Sequence, residues 1–374
     1  KAMSAPEVAW RISQKAIQKS EENRFKSRKI AVTEILFNEK LSALQLDADR
    51  MHLNWDNKTF SLGTEIPLLG GYHYETYKKR WNAGFQTENN WPEQFSYGME
   101  YKQRDDIGDA RTNWELNRHF QFALLAKVYY VSGDKKVLLE FENLFNDWNQ
   151  KNPFLWGISW TSVMEIAIRC SNWCYAWCFL KKAGAPDKLS VQLQTGILNM
   201  TDYIARHYSR YSSANNHLIV EAYAIGQTGV LCDYKPWIDL AVNILTRELP
   251  LQNYSDGVNK ELSLHYQSFY MEAMGLMMRL LVKNKISVPK NWKPTLKKMC
   301  SYMADCMGDY GEMMVFGDDD EGKILDLQGG FNHYQYVLGL FSFLLDEQYI
   351  NLHKVGNENL NWLFSTEDCN IALS

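Results

Sequence analysis

Apolar positions recur at helical spacing in segment after segment of this chain, separated by short polar breaks. Residues 114–131, 136–150, 160–182, 187–208, 216–230, 236–249, 264–283 and 294–307 carry this period and are predicted as helices. The breaks between them hold Ser-Gly-Asp, Gly-Ala-Pro, Ser-Ser-Ala-Asn and Ser-Asp-Gly, residues that favour turns over helix interiors. Strand-like patterning is confined to 34–49 and 313–317.

The predicted helices alternate in character. Those at 160–182 and 264–281 are apolar on most faces, as expected of helices buried all round. Those at 136–150 and 292–306 carry a charged side, as expected of an outer layer. This predicts an all-α fold of stacked helical hairpins, either an open solenoid or a closed α/α toroid. The hairpins share no fixed repeat length, which argues against a regular tetratricopeptide-type array.

Composition narrows the picture a little. A hydrophobic share of 46% describes a folded chain, and 374 residues bury a sizeable core. The net charge of -4 argues against nucleic acid as a partner, and no apolar run is long enough to span a bilayer. Thirteen Trp and 21 Tyr suit sugar stacking and core filling equally well. Cys170, Cys174 and Cys178 share one helical face without His or acidic companions, so they are expected to pack rather than bind metal.

Unusual polar residues gather in the first turns of the inner helices: Arg118 and His119, Trp160 with Glu165 and Arg169, Asn216 and His217, and His265 and Tyr266. If these helices run the same way, their starts converge on one rim. Free backbone N–H groups and positive dipole ends there would favour a carboxylate. Asn216 and His217 read either as carboxylate-holding donors or as a cap (Asn215 or Asn216) followed by a core histidine. Tyr266 is a candidate proton carrier, with Tyr270 one turn on along its face, though a tyrosine on an apolar helix is equally a packing residue. Glu165 and Arg169, four apart, are expected to form an intrahelical ion pair. The acidic turn from Gly317 to Gly322 is expected to be structural, with solvated charges.

Several of these pieces, in this order, resemble the helical domain of the heparinase II/III family of polysaccharide lyases. They are Pro6-Glu-Val-Ala-Trp-Arg11, Trp114-Glu-Leu-Asn-Arg-His119, Trp160-Thr-Ser-Val-Met-Glu165 with Arg169, Asn216-His217, Asp256-Gly257, Glu261-Leu-Ser-Leu-His-Tyr266 and Phe316-Gly-Asp-Asp-Asp-Glu-Gly322. The resemblance implies an incomplete α/α toroid, preceded by a helical and loop region over 1–110, with the toroid core over 111–360. It implies β-elimination on a uronic-acid polysaccharide of heparan sulfate, alginate or exopolysaccharide type. Asn216 would neutralise the uronate carboxylate, His217 would assist or act as base, and Tyr266 would serve the leaving oxygen. Arg118, His119, Trp160, Arg169, His265 and Tyr270 would line or support the cleft.

The resemblance also implies a β-sandwich domain beyond this chain, with residues 361–374 reading as its entry. A zinc is expected there by resemblance, and no metal or cofactor within this chain. The expected partner is an acidic polysaccharide and the expected setting periplasmic or secreted, although residues 1–10 form no signal peptide. Two other classes remain open on the residues alone. One is a glycoside hydrolase on an α/α toroid, with Glu115 and Asp318 to Asp320 as its tempting carboxylates. The other is a non-catalytic helical module that binds polymer.

Overall fold

The computed structural model describes residues 3–25, 65–76, 78–102, 104–308, 311–352 and 357–364. The N-terminal part supplies α1 (Ala5–Phe25), an antiparallel hairpin of β1 (Glu65–Leu68) and β2 (Tyr72–Glu75), and α2 (Ala110–Leu116). Helices then alternate in two layers. The outer layer is α4 (Lys135–Lys151), α6 (Asp187–His207), α8 (Lys235–Gln252) and α10 (Trp292–Asp305). Each of these buries one apolar stripe and turns most of its charges outward, with Glu248 of α8 buried.

The inner layer is α3 (Phe120–Ser132), α5 (Val163–Lys182), α7 (Asn216–Leu231), α9 (Leu264–Lys283) and α11 (His333–Leu345). They pack in that order, α3 on α5, α5 on α7, α7 on α9 and α9 on α11, and a short α12 (Glu358–Leu363) closes against α11. The fold is the all-α toroid of helical hairpins. Between consecutive inner helices the chain returns through an outer one, so all inner helices point the same way. Their N-termini therefore share a rim.

Local chemistry explains where the inner helices begin. Asn215, Ser263 and Asn332 are N-caps whose side chains accept from the N–H of His217, Tyr266 and Gln335 at 3.1, 3.1 and 3.0 Å. The toroid axis is not hollow. Ile324, Leu325 and Leu327 are fully buried in an extended segment there. Asn172 of α5 donates to the Ile324 carbonyl at 3.1 Å, and Glu272 of α9 accepts from the N–H groups of Ile324 and Leu325 at 2.9 and 3.1 Å. Lys127 of α3 donates to the Leu327 carbonyl.

Three expectations are corrected. Residues 114–131 are not one helix: the chain breaks between α2 and α3, with His119 at a φ of 63°. The break is tertiary in origin, because Arg169 takes the Asn117 carbonyl at 3.0 Å and Trp148 donates to the Asn117 side chain at 2.7 Å. Residues 313–317 form no strand beyond an isolated bridge from Met313 to Met307. Helices α11 and α12 were not predicted. The strand-like 34–49 lies outside the described residues, as do 365–374. Cys170, Cys174 and Cys178 are buried free thiols in the core of α5.

Candidate active site

The rim gathers side chains from the starts of α7 and α9, from the α2–α3 break and from the acidic turn. The N–H of Asn216 donates to Glu261 at 3.0 Å, which ties the start of α7 to the approach of α9. Asn216 is 4% exposed and His217 is partly buried at the mouth. Burial holds the His217 imidazole below its ordinary value, partly offset by the carboxylates of Glu165 and Asp320. His217 is therefore neutral at pH 7 and free to accept a proton.

Tyr266 is half-buried on the first turn of α9. Burial, and then the negative field of Asp320, Asp318 and Glu261, push its phenol up to about 12, against a weaker pull from Arg111. It keeps its proton at neutral pH. The same rim thus holds a neutral imidazole and a protonated phenol.

Arg118 and Glu165 form a bidentate pair, 2.7 Å from Nε and 3.0 Å from Nη2, both buried. This replaces the expected Glu165–Arg169 pair. Arg169 instead lies wholly inside, donating to the carbonyls of Asn117 and Ser159 at 3.0 and 2.9 Å. Its guanidinium stacks on the rings of Trp160 and Trp148, 4.6 and 5.1 Å away. Arg169 and Trp160 thus hold the loop behind the site and face away from solvent.

His119 and Tyr270 are also fully buried. The His119 Nδ1 accepts from the Trp173 indole at 2.8 Å, and its ring sits among Trp148, Phe122 and Trp173. Neither side chain reaches the mouth. His265 does lie beneath it, 4% exposed, with Nδ1 3.3 Å from Asp319 and Nε2 3.6 Å from Asp320. Its ring centroid is 6.2 Å from that of Tyr266.

The acidic turn keeps Asp318, Asp319 and Glu321 exposed, as expected of solvated charges, and it also reaches the mouth. Asp319 and Asp320 fold onto His265, and the charge of Asp320 also acts on Arg111, Arg118, His217, Glu261 and Tyr266. Ser263 Oγ, which caps α9, donates to the Asp318 carbonyl at 2.5 Å and so anchors the turn. Asp320, Glu261 and Arg111 escaped the reading of the chain by periodicity. Asp320 was singled out only within the Phe316–Gly322 motif and as a hydrolase carboxylate, and Glu261 only as part of the Glu261–Tyr266 motif. A second unforeseen pair, His333 with Glu272 at 2.9 Å, joins α11 to α9 behind His265. Among the described residues no group of three or more His, Cys, Asp or Glu could hold a metal ion.

Residues 74–342 match the profile of the heparinase II/III N-terminus, well over half of the chain. The chain belongs to the heparinase II/III family. It is 25% identical over 238 residues to a heparin-sulfate lyase of Bacteroides stercoris, a match covering 56% of this chain and 35% of that protein. With the heparin-sulfate lyase of Bacteroides thetaiotaomicron it shares 28% over 210 residues, covering 53% and 29%. Among solved structures, a heparinase III superposes with a TM-score of 0.49 at 20% identity, covering 72% of this chain and 43% of that one. The heparan sulfate lyase HepC from Pedobacter heparinus gives 0.45 at 20%, covering 64% and 39%. The chain thus matches about a third of the length of these lyase relatives.

Proposed function

We propose that this chain supplies the toroid side of a polysaccharide lyase site that cleaves uronic-acid polymers by β-elimination. The observation that carries the reading is that Asn216 and His217 on the first turn of α7 and Tyr266 on the first turn of α9 stand on one rim, tied together by the Asn216 N–H bond to Glu261. The heparin-sulfate lyase relatives favour a heparan-type substrate within that class.

The chemistry follows from the residues. The Asn216 side-chain amide holds the uronate carboxylate, and the positive end of the α7 dipole stabilises charge delocalised into it. This acidifies the C5 hydrogen. His217 takes that proton, the C4–O bond breaks as the C4–C5 double bond forms, and Tyr266 gives its proton to the departing glycosidic oxygen. Arg118, held by Glu165, offsets negative charge at the mouth. Alginate and exopolysaccharides share the uronate and belong in the same assay.

The test is to incubate the protein with heparan sulfate, alginate and an uncharged glucan, and to analyse the new chain ends. β-Elimination leaves an ultraviolet-absorbing unsaturated uronate and adds no water. Fragments that gain one water per cleavage, with saturated ends, would show a hydrolase instead.

A further inference from the structure

Beside the rim lies a second cleft of about 430 Å³, between α2 and the loops that precede it. Its aromatic surface is Tyr101 against Trp114, edge to face with centroids 5.3 Å apart. Trp114 is locked in place because its indole N–H donates to the Ile158 carbonyl and to Thr161 Oγ1 at 3.2 and 3.0 Å. Around this surface stand Lys102, Arg104 and Arg111, against Asp105 and Asp109. With Asp106 bonded to Arg104 and Asp109 to Arg111, the cation left to meet a ligand is Lys102.

The walls are built rather than loose. The Gln86 side chain accepts from the Asp109 N–H at 3.0 Å, Thr87 Oγ1 donates to the Ile107 carbonyl at 2.8 Å, and Asn89 donates to the Asp106 carbonyl at 2.7 Å. The loops approach so closely that a Cβ on Gly84 would stand 2.2 Å from the Ile107 carbonyl oxygen. Arg104 is fixed by two 2.7 Å bonds to Asp106, and Arg111 by bonds of 2.9 and 2.6 Å to Asp109. Lys102 is exposed and has no ion-pair partner among the described residues. A firm aromatic face with one such cation, Lys102, beside it is suited to a sugar that carries an acid group.

Helix α2 lines the cleft and leads on to Arg118 at the reacting site. Arg111 lines it and also feels the charge of Asp320, while Trp114 lies four residues before Arg118. We infer that this cleft is an additional subsite, which receives an acidic sugar flanking the one held at Asn216 and Tyr266. The inference rests on the lyase reading for the direction of the polymer. The cleft selects longer, charged chains, with the ring stacked on Tyr101 and Trp114 and its carboxylate or sulfate beside Lys102.

The experiment is calorimetric titration of the full chain with a heparan sulfate disaccharide, a heparan sulfate hexasaccharide and uncharged cellohexaose. Wild type is compared with Tyr101→Ala and Lys102→Glu, the latter an exposed change with no role in the fold. Both variants should weaken the hexasaccharide about tenfold and leave the disaccharide unchanged, with cellohexaose weak throughout. Tyr266→Phe should bind the hexasaccharide as wild type does. Equal hexasaccharide affinity in wild type and Lys102→Glu, or no binding by wild type, overturns the subsite. Product analysis reads the lyase chemistry separately: unsaturated ends with unaltered variant binding would sink the subsite alone. Hydrolysed ends or no products, with the tenfold losses intact, would sink the lyase reading alone.

Discussion

Arg118 and Glu165 meet in a two-pronged bond, 2.7 and 3.0 Å, although they lie on different segments and Glu165 has an arginine four residues along its own helix. The pair joins the α2–α3 break to the start of α5, and so fixes one wall of the mouth. Removing the carboxylate strands a buried guanidinium, which costs far more than an exposed pair would.

Glu165→Gln should therefore destabilise the fold by about 3 kcal/mol, read from denaturant unfolding. A double-mutant cycle with Arg118→Met should recover a large part of that loss as coupling, whereas a cycle with Arg169→Met should show little. Strong coupling to Arg169 and none to Arg118 would restore the intrahelical pairing.

The site should work on a broad pH plateau with a steep acid limb. As the proposed base, His217 serves only when neutral, and burial places its folded value below 6.5. Activity is thus held above that value and lost as pH falls through it. Tyr266 keeps its proton until pH approaches about 12, so no alkaline loss from it is expected near neutrality. In a kcat/KM profile, His217→Ala should lower the plateau by about 10²-fold or more and abolish the acid limb. An unchanged limb in that variant would remove His217 from the base role.

Glu221 links stability to pH away from the site. It is fully buried in α7 and accepts from the Ser209 N–H and hydroxyl at 2.6 and 2.9 Å, yet burial pushes its carboxyl up to about 8. The folded state then binds a proton that the unfolded state releases, between 4.5 and about 8. Stability should fall as pH rises through that window. Glu221→Gln, which keeps the shape and stays neutral, should flatten the dependence and gain on the order of 2 kcal/mol at pH 9. Thermal melts at pH 5 and pH 9 read the difference, and parallel losses in both proteins would refute it.

Much of this architecture was legible in the chain because long inner helices such as α5 and α9 are apolar on nearly every face, while α4 and α10 keep a charged side. The clustering of polar residues at inner helix starts was legible for the same reason: Asn216, His217, His265 and Tyr266 interrupt patterns that otherwise want apolar side chains. Burial, however, is a property of the assembled fold. His119, Arg169 and Tyr270 carry polar groups into the interior, where Trp173, Trp148 and the Asn117 carbonyl satisfy or stack on the first two. No local pattern announces those partners. The break before Phe120 has the same origin. Residues 333–345 form an almost unbroken apolar run without a period, so α11 left no helical signature. Acidic residues between two glycines read as a solvated turn, and only the proximity of His265 shows that Asp319 and Asp320 belong to the mouth.

In the proposed reaction bond cleavage depends on the proton that Tyr266 delivers, and turnover of Tyr266→Phe against wild type on heparan sulfate tests this most directly. Rates are read from the ultraviolet absorbance of the new double bond, with sugar affinity and melting temperature measured alongside. The expected result is a loss of about 10²- to 10⁴-fold in turnover with affinity and fold retained. Turnover within a factor of about two of wild type would contradict it, because a general acid cannot be removed at so small a cost.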